Sequence, residues 1–291
     1  RGQCPGFAAG IAGEFLSPAL GLSFGTAGTG GFAIRADSFG SYTPYCQTVT
    51  TVFMLLFGVN FNLYYFLLIG RPGELFKNKE LLLYVGIIAF ATLTMAANAA
   101  ATVGSFTQSL RYSFFTVSSL ITTTGFGTVD YNLWPEYSRL LVVIITFIGA
   151  CAGSTGGGLK VSRIMILVKS ANNEISRLLR PRSVRKVRLE GAPVEDSTVL
   201  CTQVFFFLYL TIVLLSALII SFDGFDFTTN FTAALTCVSN VGPGLSAVGP
   251  SGNFAAFSDL SKVVLTMNML FGRLEIFPVL ILFVPKLWKR A

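Results

Sequence analysis

The sequence TGFGT at residues 124–128 decides the fold, because it lies between two apolar segments of different length. The segment before it, 110–122, is too short to cross a membrane, whereas the segment after it, 140–159, is long enough. A bilayer span needs roughly 20 apolar residues, and segments of about 10–14 fit buried or re-entrant helices better. A charge-free stretch at 81–110 precedes both. The predicted order is a spanning helix, a short helix, a glycine-rich loop and a second spanning helix.

This order recurs along the chain, which predicts a repeated structural unit. The predicted spanning helices are 49–69, 81–101, 140–159, 199–222 and 263–285. The predicted short helices are 17–27, 110–122 and 228–238. Each short helix ends in a glycine-rich loop, and we call these glycine loops 1, 2 and 3: TGGF at 29–32, TGFGT at 124–128 and NVGPG at 240–244. The unit is complete twice and lacks its first span in the copy that contains glycine loop 1.

The composition favours a membrane protein over a soluble enzyme. Hydrophobic residues make up 53% of the 291-residue chain and charged residues only 12%, whereas soluble domains carry about 25% charged residues. There is no histidine, so the usual general base and commonest metal ligand are absent. The five cysteines form no CxxC pair and predict neither a zinc site nor a disulfide framework.

We therefore predict an all-α membrane protein built from helix–pore helix–filter loop–helix units. The chain divides into a partial unit at 1–80, a complete unit with a basic loop at 81–190, and a complete unit at 191–291. Residues 1–16 match no part of this pattern. The segments 71–80 and 160–190 and the C-terminal tail hold 15 of the 21 Lys and Arg residues. Because basic loops mark the cytoplasmic side, the short helices are predicted to enter from outside.

The three glycine loops share the chemistry of a cation filter. Each follows the C-terminal end of a short helix, whose partial negative charge favours a cation. Glycine leaves no side chain in the path and lets the backbone carbonyls turn towards it. Rings of such carbonyls can replace the water shell of a potassium ion, and irregular backbone survives at membrane depth where it lines a water-filled path. Helix packing could explain one such loop, but three at equivalent places favour a filter.

A fourth glycine cluster, GSTGGG at 153–158, lies in the segment 149–158, which we call the central loop. Such a cluster breaks a helix in mid-membrane, and close helix packing is the alternative. A phosphate-binding loop is disfavoured, because Leu159 separates Gly158 from Lys160 and no Ser or Thr follows the lysine directly.

Arg273 is an ionisable residue inside the apolar run 263–285. Such residues are costly in a membrane and usually face a cavity or a partner. Glu275 is two positions further on and points to a different helix face, so the two are not expected to pair directly. A tether between helices is the alternative to a role in an ion path.

Five motifs together resemble the Trk/Ktr/HKT superfamily of potassium transporters, closest to its TrkH-type pore subunits. They are TGGF at 29–32, TTGFGT at 123–128, GSTGGGLK at 153–160, NVGPGL at 240–245 and GRLEIFP at 272–278. The resemblance covers about residues 20–291. It implies a pseudo-fourfold pore of which this chain holds repeats two to four, with one glycine from each loop lining a potassium site. The matching glycines are predicted to be Gly30, Gly125 and Gly242, and glycine at these places favours potassium over sodium.

By the same resemblance, the central loop acts as a gate below the filter, and Arg273 lies in the ion path. The predicted filter residues are Thr29, Gly30, Gly31, Thr124, Gly125, Phe126, Asn240, Val241 and Gly242. The predicted gate residues are Gly153, Ser154, Thr155, Gly156, Gly157, Gly158 and Arg273. Potassium is the expected transported ion, with sodium as the alternative, and no other metal or bound cofactor is expected.

The resemblance also implies a homodimer in the bacterial inner membrane, surrounded by lipid and regulated by a cytosolic nucleotide-binding subunit of the TrkA type. The basic segment 169–190 is a candidate docking surface for that subunit. A nucleic-acid partner is disfavoured, because a juxtamembrane basic loop explains the run at 177–188. Two other functions stay open: an ion-coupled carrier with alternating access, which would give no single-channel currents, and a non-conducting scaffold. Electrical recording separates the first from a channel, and a flux assay tests the second.

Overall fold

The computed structural model describes residues 16–35, 37–180, 186–189 and 192–282, and the regular secondary structure in this part of the chain is almost entirely helical. The helices are α1 Leu16–Ala27, α2 Pro44–Phe57, α3 Phe61–Leu68, α4 Gly73–Lys77, α5 Lys79–Val103, α6 Phe106–Ile121, α7 Glu136–Ile148, α8 Val161–Leu179, α9 Asp196–Ile220, α10 Phe227–Ser239, α11 Asp259–Arg273 and α12 Ile276–Leu282. Two-residue strands, β1 Arg188–Leu189 and β2 Ala192–Pro193, pair antiparallel in the loop between α8 and α9. The predicted all-α class is confirmed.

Several residues used in the sequence analysis lie outside the described part of the chain. They are residues 1–15, which include most of the unmatched N-terminal segment, and the basic residues Arg182, Arg185, Lys286, Lys289 and Arg290. The end of the predicted span 263–285 lies outside it as well.

The three predicted short helices are confirmed as α1, α6 and α10. They form the centre of the molecule: in α10 every residue from Thr232 to Ser239 is buried, and α6 is buried from Phe115 to Ile121. Asp226 caps the N-terminus of α10, where its carboxylate accepts a hydrogen bond from the Thr229 N–H at 3.2 Å, as acids favour this end of a helix. The buried parts of α6 and α10 are surrounded by other elements, whereas α1 exposes Leu20 and Phe24.

Two of the five predicted spans are confirmed as single helices long and apolar enough to cross a membrane, α5 and α9. The prediction of one helix at 49–69 is wrong, because α2 and α3 meet at 91°. The chain breaks where Gly58 approaches the Tyr84 hydroxyl so closely that a Cβ would lie 2.4 Å from it. Asn60 then starts α3, its side chain accepting a hydrogen bond from the Asn62 N–H. The second half of the predicted span therefore turns away from the first.

The predicted span at 263–285 is also broken. Helix α11 ends at Arg273, α12 begins at Ile276, and the two meet at 114°. Glu275 lies in the bend with a φ of 63°, in the left-handed region. Arg273 is therefore the last residue of a helix rather than an interior one, a position where positive charge complements the helix dipole.

The predicted span at 140–159 is helical only as far as Ile148, where α7 ends. Gly149 follows with a φ of 72°, and a Cβ there would lie 2.7 Å from the Gly157 carbonyl oxygen, so this position requires glycine. The glycine cluster therefore breaks the helix as predicted, and α8 resumes it at Val161.

The helices assemble as repeated units around the short helices. Helix α6 packs on α5 and α7, α10 packs on α9 and α11, and α1 packs on α2. Contacts between α2 and α6 and between α7 and α10 join one unit to the next. The outward faces of α5 and α9 expose large apolar side chains such as Phe90, Phe207 and Leu218, as expected of lipid-facing helices.

The cysteines differ in oxidation state. Cys151, Cys201 and Cys237 are free. Cys46 at the start of α2 is disulfide-bonded, so the expectation of no disulfide is wrong at this position. The isolated spacing of the cysteines gave no indication of it.

Candidate functional site

The three glycine loops have the same backbone conformation. A non-glycine residue in the left-handed region lies at the start of loops 1 and 3 and directly before loop 2, with φ of 48° at Thr29, 55° at Thr123 and 56° at Asn240. Two residues later each has a glycine with positive φ: Gly31 at 67°, Gly125 at 84° and Gly242 at 102°. The local fold of the loops therefore repeats residue by residue.

The hydrogen bonds that join each loop to its short helix repeat as well. The N–H of Gly30, Thr124 and Val241 each donates to the carbonyl five residues earlier, at 2.8, 2.9 and 2.9 Å. These bonds use carbonyls that the helix end would otherwise leave unpaired.

This register corrects the predicted correspondence between the loops. Gly31, not Gly30, is equivalent to Gly125 and Gly242, and Gly30 corresponds to Thr124. The two adjacent glycines of TGGF are indistinguishable by type, and only the backbone torsions and hydrogen bonds show which one occupies the common position.

Neighbouring loops touch through the common glycine. A Cβ on Gly31 would lie 1.9 Å from the carbonyl oxygen of Thr124, and a Cβ on Gly125 would lie 1.9 Å from that of Val241. The same contact thus joins glycine loop 1 to loop 2 and glycine loop 2 to loop 3. In the described part of the chain, no atom lies within 4 Å of the corresponding position on Gly242. The three loops therefore form a row. At Gly242, one end of this row, no neighbouring loop in the described part of the chain lies against the Cβ position.

Contacts between the segments that follow each loop hold the row together. The Phe39 N–H donates to the Gly127 carbonyl at 2.8 Å, and the Phe39 and Phe126 rings meet edge to face with centroids 4.7 Å apart. Between the segments that follow glycine loops 2 and 3, the Asn132 side-chain amide pairs with the backbone of Ser246. It accepts from the Ser246 N–H at 2.8 Å and donates to the Ser246 carbonyl at 3.2 Å.

The central loop lies against all three glycine loops. The Gly157 N–H donates to the Thr123 hydroxyl at 2.7 Å, and the Thr29 hydroxyl donates to the Thr155 carbonyl at 3.0 Å. A Cβ on Gly157 would lie 2.6 Å from the Ser239 carbonyl oxygen, which precedes glycine loop 3. The predicted filter and gate residues are therefore adjacent in the structure.

Arg273 reaches the central loop from the end of α11, and its Nη1 donates to the Thr155 carbonyl at 3.1 Å. Glu275 turns to α8 instead, where it pairs with Arg163 at 2.8 Å and Lys160 at 3.5 Å. The Arg163 guanidinium also lies 4.0 Å from the centroid of the Phe205 ring. The expectation that Arg273 and Glu275 contact different partners is thus met.

Two cavities border this assembly. One, of about 480 Å³, is lined by glycine loop 1, Phe24, Asn240 and Arg273. The other, of about 200 Å³, is lined by the central loop together with Lys160, Arg163, Arg273 and Glu275. Arg273 lines both cavities, so its charge lies between the glycine loops and the basic pair Lys160 and Arg163 at the start of α8.

Sequence reasoning missed two residues of this assembly. Thr123, one position before the predicted Thr124, is the left-handed residue of glycine loop 2 and binds the central loop. Glu80, in the first turn of α5, is buried and accepts hydrogen bonds from the N–H groups of Ala152 and Ser162. A carboxylate at the end of a span looks like an ordinary cytosolic charge, and no sequence signal distinguished it.

Comparison with known proteins gives a consistent result. Residues 5–290 match the family model described as TrkH, cation transport protein. The chain is 35% identical over 277 residues to the Trk system potassium uptake protein TrkH of Salmonella typhimurium, covering 93% of this chain and 56% of that protein. It is 36% identical over 270 residues to TrkI of Halomonas elongata, covering 90% and 54% respectively.

The fold comparison agrees with the sequence comparison. The crystal structure of the potassium transporter TrkH from Vibrio parahaemolyticus matches with a TM-score of 0.86 and 32% identity, over 93% of this chain and 59% of that one. The chain therefore spans a little over half the length of the proteins that it matches.

Proposed function

This chain belongs to the TrkH family of cation transport proteins, and we propose that it passes potassium ions across the bacterial cytoplasmic membrane by channel-like permeation. The glycine loops are the lining of the path, and their backbone oxygens replace the water shell of the ion. An inside-negative potential drives entry by about 2.3 kcal/mol per 100 mV for each charge. A fourth unit, implied by the family pattern, completes the ring between Gly242 and glycine loop 1.

One observation carries the proposal: the same glycine-to-carbonyl contact joins each loop to the next. Gly31 meets the Thr124 carbonyl and Gly125 meets the Val241 carbonyl, each 1.9 Å from the Cβ position. A repeated contact of this kind is what a ring of loops around one axis requires. The C-terminal ends of α1, α6 and α10 lead directly into these loops, which favours a cation among them.

The central loop and Arg273 form the gate in this proposal. The loop contacts all three glycine loops, and Arg273 binds the Thr155 carbonyl within it. A loop in this position obstructs the path, and a positive charge beside it opposes a cation. Gating requires the loop to withdraw from Thr123 and Thr29.

The partners follow from family membership. We propose a homodimer embedded in lipid, with a nucleotide-binding cytosolic subunit beneath it that moves the central loop. The segment 169–190 is the proposed docking surface, and within its described part Lys169, Arg177, Arg180, Lys186 and Arg188 supply positive charge. An acidic surface on the regulatory subunit would complement it.

Electrical recording from the full-length protein in planar bilayers tests the proposal. Wild type should give potassium-selective single-channel currents. Gly125→Ala should abolish them, because the added methyl would overlap the Val241 carbonyl and the residue has a φ of 84°. Gly86→Ala is the matched control, since Gly86 lies in α5 with nothing within 4 Å of its Cβ position. Normal currents in the Gly125→Ala protein would refute the filter assignment.

The ion-coupled carrier stays as the second candidate, because the bent pairs α2–α3 and α11–α12 are broken helices of the kind that carriers use at substrate sites. The same recording separates the two functions. Saturable flux without single-channel currents favours the carrier.

A further inference from the structure

Glu80 is a buried carboxylate that the filter and gate assignments do not use. Its side chain is 6% exposed, and its Oε1 accepts hydrogen bonds from the N–H of Ala152 at 2.7 Å and of Ser162 at 3.1 Å. Burying a carboxylate is costly unless hydrogen bonds compensate it, and bonds to an ionised acceptor are stronger than neutral ones. Glu80 therefore makes a specific buried contact with two backbone N–H groups and is not a surface charge.

The two donors lie on either side of the central loop's glycine cluster. We call residues 149–153 the incoming arm and residues 159–162 the outgoing arm. Ala152 precedes the glycine cluster of the loop, whereas Ser162 follows it in the first turn of α8. One oxygen atom on α5 thus joins the incoming and outgoing arms. A change at Glu80 acts on both arms at once.

Glu80 also supplies the N-terminal cap that α8 lacks. Lys160 occupies the N-cap position of α8 with a φ of 73° and makes no capping hydrogen bond with its side chain. A carboxylate near a helix N-terminus satisfies free N–H groups and complements the helix dipole. Because the cap comes from α5, the start of α8 depends on the distance between these two helices.

Other hydrogen bonds also hold the central loop in place. The Cys151 N–H donates to the Gly58 carbonyl at 3.1 Å, and the Phe61 N–H donates to the Gly153 carbonyl at 3.1 Å. Both anchors hold the incoming arm at the bend between α2 and α3. Gly157 binds Thr123 on the other side of the loop. The loop is therefore held between the glycine loops and Glu80.

We propose that Glu80 is the latch of the central loop: a positioning residue that ties both arms of the loop to α5 and so keeps it against the glycine loops. The inference rests on the proposed function, in which this loop is the gate. Loss of the Glu80 contacts weakens the attachment of both arms together and shifts the loop towards withdrawal.

Native cysteines give a direct test in the full-length, detergent-solubilised protein. Cys151 lies in the incoming arm beside Ala152, and Cys237 lies in α10 away from it; each is 1% exposed. The rate of N-ethylmaleimide labelling at each is measured by mass spectrometry, and the ratio of the two rates separates local release of the loop from general unfolding.

We expect Glu80→Ala to raise the ratio of Cys151 to Cys237 labelling by about tenfold or more, the scale of losing a hydrogen bond to a charged acceptor. Glu80→Gln removes the same negative charge, which acts on the Cys151 thiol, but keeps one oxygen acceptor, so it should give a smaller rise that separates the lost hydrogen bonds from the lost charge. Glu136→Gln, at a side chain 86% exposed on α7, is the matched control and should leave the ratio unchanged. A ratio within twofold of wild type in both Glu80 variants, or an equal rise in both, overturns the proposal.

Potassium flux in proteoliposomes distinguishes the latch from the function on which it rests. A raised labelling ratio with raised flux and an unchanged rubidium-to-sodium flux ratio supports the latch as a gating element. A raised labelling ratio with unchanged flux overturns its gating role. Where wild type carries no flux at all, the proposed function fails, and the labelling ratio alone decides whether Glu80 positions the loop.

Discussion

At the residue scale, the adjacent glycines of loop 1 meet different constraints. Gly31 has a φ of 67°, and a Cβ there would meet the Thr124 carbonyl at 1.9 Å. Gly30 has no positive φ, and a Cβ there would meet only the Phe32 ring, at 3.1 Å. The Phe32 side chain is 82% exposed and can move, whereas the carbonyl belongs to the neighbouring loop. Only the second glycine is therefore required by both conformation and space.

This difference predicts unequal effects of the same substitution. Gly31→Ala should remove potassium uptake in a strain that lacks its own uptake systems, because the methyl group would displace glycine loop 2. Gly30→Ala should retain measurable uptake. Growth on limiting potassium, with membrane expression checked by immunoblot, compares the two. Equal loss in both variants would contradict the register derived from the torsions.

Arg273 is the second residue whose role can be separated from its packing. Its guanidinium binds the Thr155 carbonyl, and Arg273→Gln keeps a hydrogen-bond donor while removing the charge. We expect a several-fold rise in rubidium flux into proteoliposomes, because a positive charge in the path opposes a cation. Arg273→Lys keeps the charge and should stay near the wild-type flux. Unchanged flux in a folded Arg273→Gln protein would reject the barrier role.

At the element scale, broken helices give this fold its central loop. The bend between α2 and α3 leaves backbone groups near Gly58 and Phe61 that pair with Cys151 and Gly153 of that loop. A continuous helix at 49–69 would pair these groups internally and remove these two anchors of the central loop. The bend between α2 and α3 therefore provides hydrogen-bond partners for the central loop, which separates α7 from α8.

Close packing of α11 on α10 gives a prediction about stability. A Cβ on Gly272 would lie 2.0 Å from the Val238 carbonyl oxygen, so Gly272→Ala forces the two helices apart. Overpacking costs about 1–3 kcal/mol, and we expect the apparent melting temperature to fall by roughly 5 °C. Gly86→Ala, in the open part of α5, should not lower it, since alanine favours a helix. Equal melting temperatures for the two variants would refute the close approach.

At the scale of the whole molecule, the proposed ion path depends on contacts between units. Gly31 meets a carbonyl of glycine loop 2 and Gly125 meets a carbonyl of glycine loop 3, so in the proposed function no single unit forms an ion site alone. The chain spans 56% of the length of the Salmonella protein that it matches, and the row of loops is open at Gly242. In the proposed function, a fourth unit completes the ring.

Ion binding at the junction of units predicts stabilisation by the transported ion. A ligand that binds only the folded state stabilises it by about 2.7 kcal/mol at 100 times its Kd. Potassium should therefore raise the melting temperature of the full-length protein above its value in an equal concentration of a large organic cation. Gly125→Ala should abolish the difference. A shift that persists in this variant would place the bound potassium elsewhere.

Several features were predictable from the sequence because they depend on local composition. The lengths of apolar segments predicted α1, α6 and α10, and charge-free runs predicted α5 and α9. The glycine cluster predicted the end of α7, since glycine disfavours a helix wherever it occurs. The family could be identified from the motifs, because each combines several residues in order.

Tertiary contacts decided the rest. Hydropathy predicts single spans at 49–69 and 263–285, because the residues stay apolar through each bend; the close approach of Gly58 to Tyr84 accompanies the first bend. The common glycine of loop 1 and the role of Glu80 were equally hidden, because each depends on atoms more than 70 residues away. Composition thus determined which segments are apolar helices and which are glycine loops. The contacts between units determined which atoms meet, because a hydrogen bond or a steric overlap has no signature in either partner alone.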